Sequence, residues 1–221
     1  MATDRLKIYN GALLICSDRR LASLTENREP RYLLDDVWND GGLRYCLEAA
    51  QWNFAMRSSH FTYEASITPS FGPSRAFTKP TDWVLTSGVF QDEWMKAPAL
   101  QYKDEVGYWF ADVDDLYIRY VSSDTNYGMN MANWPYTFVD FVKAYFASKI
   151  IRKLPGGAEK IEDICHPKKG VLARNLVIAK NKCAMVGPAT FPTMGTWVRA
   201  RQAGLTTLGR DGGSTTQLIT Q

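Results

Sequence analysis

Four stretches of this chain repeat apolar residues every three or four positions, and one long stretch between them alternates instead. Over 4–17, Leu6, Tyr9, Leu13 and Cys16 share one helical face, with Thr3 as the expected N-cap. Over 30–56, Leu33, Val37, Leu43, Leu47, Ala50 and Phe54 form a stripe behind Pro30, which suits a first turn. Asp40-Gly41-Gly42 interrupts that stripe. Each glycine costs a helix about 1 kcal/mol relative to Ala, so either the helix bends there or two shorter ones meet. Over 133–154, Val139, Val142, Phe146, Ile150 and Leu154 line one face and Phe138, Phe141 and Tyr145 widen it. Asn133 is placed to cap this helix, Pro135 to open it and Pro155-Gly156-Gly157 to end it. Over 158–186 a fourth helix breaks at Pro167. After the break, Leu172, Leu176, Ala179, Cys183 and Val186 should face the third helix in a helical hairpin.

Residues 57–125 switch to a period of two. Phe61, Tyr63, Ala65 and Ile67 alternate with polar neighbours, and Leu116, Ile118 and Tyr120 alternate with Tyr117, Arg119 and Val121. With Trp83–Leu85, Leu100–Tyr102 and Tyr108–Phe110 they predict about four to six short strands. Pro69–Pro80 reads as a Pro-, Gly- and Ser-rich loop. The chain is therefore expected to be α+β: a four-helix antiparallel bundle over 1–56 and 126–186, a small β domain inserted over 57–125, and an extended C-terminal tail over 187–221. That tail has no Glu and a single Asp, and cannot build a core alone. Fully extended it reaches on the order of 115 Å. Phe191, Met194 and Trp197, followed by Arg199 and Arg201, give it the composition of a segment that orders on a partner rather than of a plain linker.

Composition adds a charge asymmetry. The net charge of +3 does not announce a nucleic-acid binder. Yet Lys143–Lys182 holds ten Lys/Arg against three Asp/Glu, whereas Val89–Asp124 holds eight acids against three bases. The two segments read either as complementary faces that meet other subunits or as two solvated faces. Aromatics make up 13% of the chain, which suits a large core or extensive protein contacts. Cys16, Cys46, Cys165 and Cys183 have no metal or redox spacing and read as reduced core residues of a protein folded in the cytosol. The first residues lack the apolar stretch of a signal peptide, and no run approaches the roughly 18 apolar residues of a membrane span.

Signatures of chemistry are missing. There is no P-loop, GxGxxG, HExxH or GxSxG. His60 and His166 are the only histidines, the first on the polar face of a strand and the second at a helix break. Both read as surface or capping residues. Asp112, Asp114 and Asp115 lack the Gly and trailing Glu of a calcium loop and read as a turn before a strand. Asp92-Glu93 and Asp104-Glu105 read as turn and edge charges. No catalytic, cofactor-binding or metal-binding residue is assigned.

The opening helix, Tyr9-Asn10-Gly11-Ala12-Leu13-Leu14-Ile15, carries an Asn-x-Ala-Leu element. Leu21-Ala22-Ser23-Leu24-Thr25-Glu26 follows as a short link. The second helical stretch ends Gln51-Trp52-Asn53-Phe54-Ala55, and Lys79-Pro80-Thr81-Asp82 makes a Pro-x-Asp turn in the β region. In order and spacing these resemble the tail tubular protein A family, the head-to-tail adaptors of short-tailed bacteriophages, over roughly residues 4–190. Gly41-Gly42 and Pro167 depart from the continuous helices of that pattern. The resemblance implies a structural virion protein at the head–tail junction, made in the host cytoplasm and without a membrane anchor. About twelve copies would form a ring joining the portal to the tail nozzle or tube. Tail fibres or spikes would attach nearby, and genomic DNA would pass through the channel without sequence recognition. Two lateral faces would then close the ring, with Asp112, Asp114 and Asp115 of one subunit toward Lys168, Lys169 and Arg174 of the next. Phe191, Met194, Trp197, Arg199 and Arg201 would dock on the portal. Two rival readings stand beside this one. A DNA-binding module of a phage or bacterium would bind DNA tightly and with strong salt dependence. A cell-wall hydrolase would need a cleft with perturbed carboxylates.

Overall fold

One helix, too apolar for a single buried stripe, sets the architecture. In the computed structural model, which describes residues 4–67, 69, 71–99 and 101–186, helix α4 (Tyr136–Ile150) buries nine of its fifteen residues, too many for one stripe. It has to be enclosed, and α1 (Arg5–Ile15), α2 (Glu29–Asn39), α3 (Gly42–Glu48), α5 (Ile161–Cys165) and α6 (Val171–Val186) all contact it. The described residues are α+β, with six α-helices and two small antiparallel sheets.

The glycine interruption resolves into two helices. Gly41 takes a φ of +82° between α2 and α3, a left-handed turn that glycine adopts without steric cost. The expected helix over 30–56 is too long. It stops at Glu48, and the indole of Trp52 folds back to donate to the carbonyl of Cys46 at 3.0 Å. Trp52 and Phe54 therefore reach the core from a turn and a short 3-10 segment, Asn53–Ala55, rather than from a helical stripe. Similarly, α4 starts at Tyr136 with Pro135 as its N-cap. Asn133 closes a preceding 3-10 turn whose own cap is Asn130, accepting from the N–H of Ala132 at 3.1 Å. The far end tightens into a 3-10 turn over Ile151–Lys153. Pro167 separates α5 from α6. Of the face expected on α6, Ala179 is buried and Leu172, Leu176 and Cys183 are partly so, while Val186, at the last turn, is 68% exposed and lines an open pocket against the start of α4. The side chain of Asn10 holds the link after α1. Its Nδ2 donates to the carbonyl of Leu21 at 3.1 Å and its Oδ1 accepts from the N–H of Leu21 at 2.8 Å.

Strands β1 (Met56–Thr62), β6 (Asp115–Ser122) and β3 (Trp83–Phe90) form one sheet in that order. Strands β2 (Arg75–Thr78), β5 (Tyr108–Ala111) and β4 (Tyr102–Glu105) form the other, all antiparallel. The alternation of β6 is real: Leu116, Ile118 and Tyr120 are fully buried and share a core with Phe77 and Trp109 of the second sheet, while Val121 joins the helical core. Two strand expectations fail. The alternation over 63–67 is not a strand, because the chain leaves β1 at Thr62 and the N–H of Glu64 donates to Ala76 of β2. Conversely, β2 lies inside the expected Pro69–Pro80 loop and buries Phe77 completely.

A joint built on Asp82 orders the end of the first sheet where it meets the helices. The carboxylate of Asp82 accepts from the hydroxyl of Ser122, from Arg57 at 2.9 Å and from Tyr120 at 3.4 Å, and its backbone carbonyl accepts from the N–H of Ser123 at 2.7 Å. Burial opposes its charge, but the hydrogen bonds from Ser122 and Arg57 outweigh that and hold its carboxyl below the usual range. Below it, the N–H of Gly128 donates to the carbonyl of Ser122, and the carbonyl of Gly128 accepts from the buried indole of Trp134 at 2.8 Å. A Cβ on Gly128 would sit 2.1 Å from that Ser122 oxygen and 3.0 Å from Leu47.

Two outcomes follow from this joint. Gly128→Ala should destabilise the fold by about 1–3 kcal/mol or more, read by chemical denaturation, since backbone and not a mobile side chain has to move. Because Asp82 has a lowered pKa in the fold, its contribution is complete above about pH 4 and is lost as pH falls through its folded value. Stability of Asp82→Asn measured against pH should therefore fall less steeply on the acid side than that of the wild type. It should not be flat, because Asp92 and Asp112 are also held low.

Candidate interaction surfaces

The two charged segments occupy different parts of the fold. On the helical side, Pro167, Lys168, Ala173, Arg174, Val177 and Ile178 line a shallow groove beside the start of α6. Lys168 and Arg174 are thus brought together, with Lys169 exposed beside them in sequence. His166 shapes this corner: its Nδ1 accepts from the backbone N–H groups of Lys168 and Lys169, each at 3.1 Å. It caps the break, and that role fixes Nδ1 as an acceptor. Val177 and Ile178 are 55% and 53% exposed, high for branched apolar side chains on a helix.

On the sheet side, Asp112, Asp114 and Asp115 lie together after β5, and all three have partners within the chain. Asp112 accepts from the N–H and hydroxyl of Ser74, at 2.6 and 2.9 Å, which keeps its carboxyl low. Asp114 pairs with Arg75. Asp115 pairs with His60 at 2.9 Å, and the His60 ring stacks on Tyr117. Asp104 is more than an edge charge. It pairs with Lys79 at 2.5 Å and accepts from Thr86 and the indole of Trp109, while the Lys79 ammonium lies over the rings of Trp83 and Trp109. These bonds join the two sheets and leave both groups satisfied.

Two features carry no period that sequence reading could catch. The first is the loop after β3. The carboxylate of Asp92 accepts from the N–H groups of Lys96 and Ala97, at 3.1 and 2.8 Å, and the N–H of Gln91 donates back to the carbonyl of Ala97. The N–H of Ala97, more than any other group, holds the Asp92 carboxyl below its usual range. Met95 adopts a φ of +54° at the apex. The loop is tied at its base and presents Trp94 with 71% of its surface exposed. The sequence signal is only a Trp set among Gln91, Asp92, Glu93 and Lys96, with no apolar partner at strand or helix spacing. The second is an apolar pocket of about 260 Å³ between the Trp52 turn, the start of α4 and the end of α6, lined by Trp52, Phe54, Phe138, Ala179, Cys183 and Val186, with Lys182 on the same wall. Asn53 fixes it, donating through its side chain to the carbonyl of Cys183 at 2.7 Å.

The four thiols are free. Cys16 and Cys46 are buried, and burial pushes the Cys16 thiol up to about 11 and that of Cys46 further. Among the described residues no group of three His, Cys, Asp or Glu side chains is arranged to hold a metal ion, and no helix is long and apolar enough to cross a membrane. Phe191, Met194, Trp197, Arg199 and Arg201 lie outside the described residues. No protein-family model matches the chain, and no curated protein matches it either.

Proposed function

We propose that this chain is the head-to-tail adaptor subunit of a short-tailed bacteriophage, one of about twelve copies in a ring that joins the portal to the tail nozzle or tube. In this reading α1, α2 continued by α3, α4 and α6 count as the four members of an antiparallel bundle, and β1 to β6 are the small inserted domain. The ring sits at the tail of the virion, DNA passes through it without sequence recognition, and the chain itself carries out no catalysis and holds no cofactor.

One observation carries the reading. Three of the residues through which the sequence resembles the tail tubular protein A family hold joints of this fold. Asn10 ties the first helix to its link, Trp52 closes the second helical stretch and packs on Phe138 of α4, and Asp82 fastens the turn before β3 to the end of β6, the strand that returns to α4. The opposite charges of the helical and inserted parts add support, since a ring needs two unlike lateral faces.

The portal contact is assigned to residues 187–221 through Phe191, Met194, Trp197, Arg199 and Arg201, a composition rich in the residue types that dominate interfaces. Deleting residues 188–221 should leave a folded chain by circular dichroism that no longer binds the portal protein encoded with it. Trp197→Ala combined with Arg199→Glu should weaken that binding by more than about tenfold, or 1.4 kcal/mol. Undiminished binding by the truncated chain contradicts the assignment.

A further inference from the structure

The pocket and the Trp94 loop are matched in size, polarity and charge. The pocket's volume of about 260 Å³ exceeds the roughly 150 Å³ that admits a benzene ring in an apolar cavity, so an indole can enter. Its walls are largely aromatic and aliphatic, with Lys182 among them, and Lys180 and Lys182 are both exposed near the end of α6. Trp94 stands on the acidic segment, beside Glu93, which makes no ion pair or hydrogen bond among the described residues. The indole is too exposed to be filling any cavity of its own chain.

From this we infer that Trp94 of one copy seats in the pocket of the next copy, between Trp52, Phe54, Phe138 and the end of α6, with Glu93 facing Lys182. The inference rests on the adaptor reading for the setting in which copies meet, and it names the contact between them. The loop suits the task, because Asp92 and the Gln91–Ala97 bond have already ordered it, so little further freedom is lost on docking. Tryptophan is enriched among binding hot spots, which cluster in well-packed, desolvated pockets. Knob and hole lie on different parts of the chain, which permits a head-to-tail contact, the type that closes into rings when the rotation permits.

The test compares native masses of the full chain mixed with the portal protein encoded with it, for the wild type, Trp94→Ala, and the double variant Lys182→Glu with Val186→Asp. All three substituted residues are exposed, so the fold should survive. Each variant should lose the multi-copy assembly, with copy-to-copy affinity reduced by at least about tenfold. Mixing the two variants should give dimers and nothing larger, because one intact knob meets one intact hole. Adding Glu93→Lys to Lys182→Glu should recover part of the loss.

Assembly of Trp94→Ala equal to the wild type overturns this contact and leaves the adaptor reading standing. So does loss of assembly by the pocket variant alone, which would mean that something other than Trp94 fills the pocket. Wild-type copies that associate through Trp94 yet ignore the portal would uphold the contact and overturn the adaptor reading. A wild type that stays monomeric with and without portal overturns both.

Discussion

The fold depends on enclosing one helix. α4 presents Phe138, Phe141, Phe146, Val139, Val142 and Ile150 around most of its circumference, and each fully buried side chain of this kind contributes about 1.5–3 kcal/mol. No single partner covers such a surface, so five other helices pack against it. The core of aromatic contacts runs outward from it, with Trp52 edge-on to Phe138 at 4.9 Å and Trp134 edge-on at 5.1 Å. Among the described residues three α-helices come before the β strands and three after, so the chain must leave the helical core and return to it. Asp82, Ser122 and Gly128 fix the point of return, where β6 hands the chain back toward α4.

This dependence explains what the sequence reveals. α1 and the body of α4 are legible because their side chains meet the core in helical phase, and β6 because Leu116, Ile118 and Tyr120 face the second sheet in strand phase. Errors arise where phase coincides with a different backbone. Trp52 and Phe54 fall on the extrapolated stripe of the second helix, yet they are buried from a turn. Tyr63 and Ile67 continue the alternation of β1 after the backbone has crossed to the other sheet. β2 is only four residues long, and the Pro, Gly and Ser around it hide one deeply buried Phe77.

The surfaces were less legible than the fold, for a related reason. A carboxylate reads the same in sequence whether it faces solvent or Arg75, Ser74 or His60, because those partners lie 38 to 55 residues away for Asp112 and Asp115. The acidic triplet is consequently anchored within the chain, and a neighbour that used it would have to compete with bonds already made. Glu93, by contrast, is uncommitted among the described residues, and it adjoins an exposed Trp on a loop that its own hydrogen bonds hold in place. Exposure of Trp94 and concavity beside Trp52 are properties of the folded surface, and no spacing announces them.

In the proposed ring each subunit would bring two parts that differ in charge, and residues 187–221 would recognise the portal. On that proposal, copies would stay apart until the portal, acting as a scaffold, raises their local concentration. The most direct test is the mass of the purified wild-type chain, alone and beside its portal. A monomer that becomes a ring of about twelve on the portal is the predicted result. A chain that remains monomeric there, while binding short DNA tightly at low salt, would contradict the account and favour a nucleic-acid-binding module.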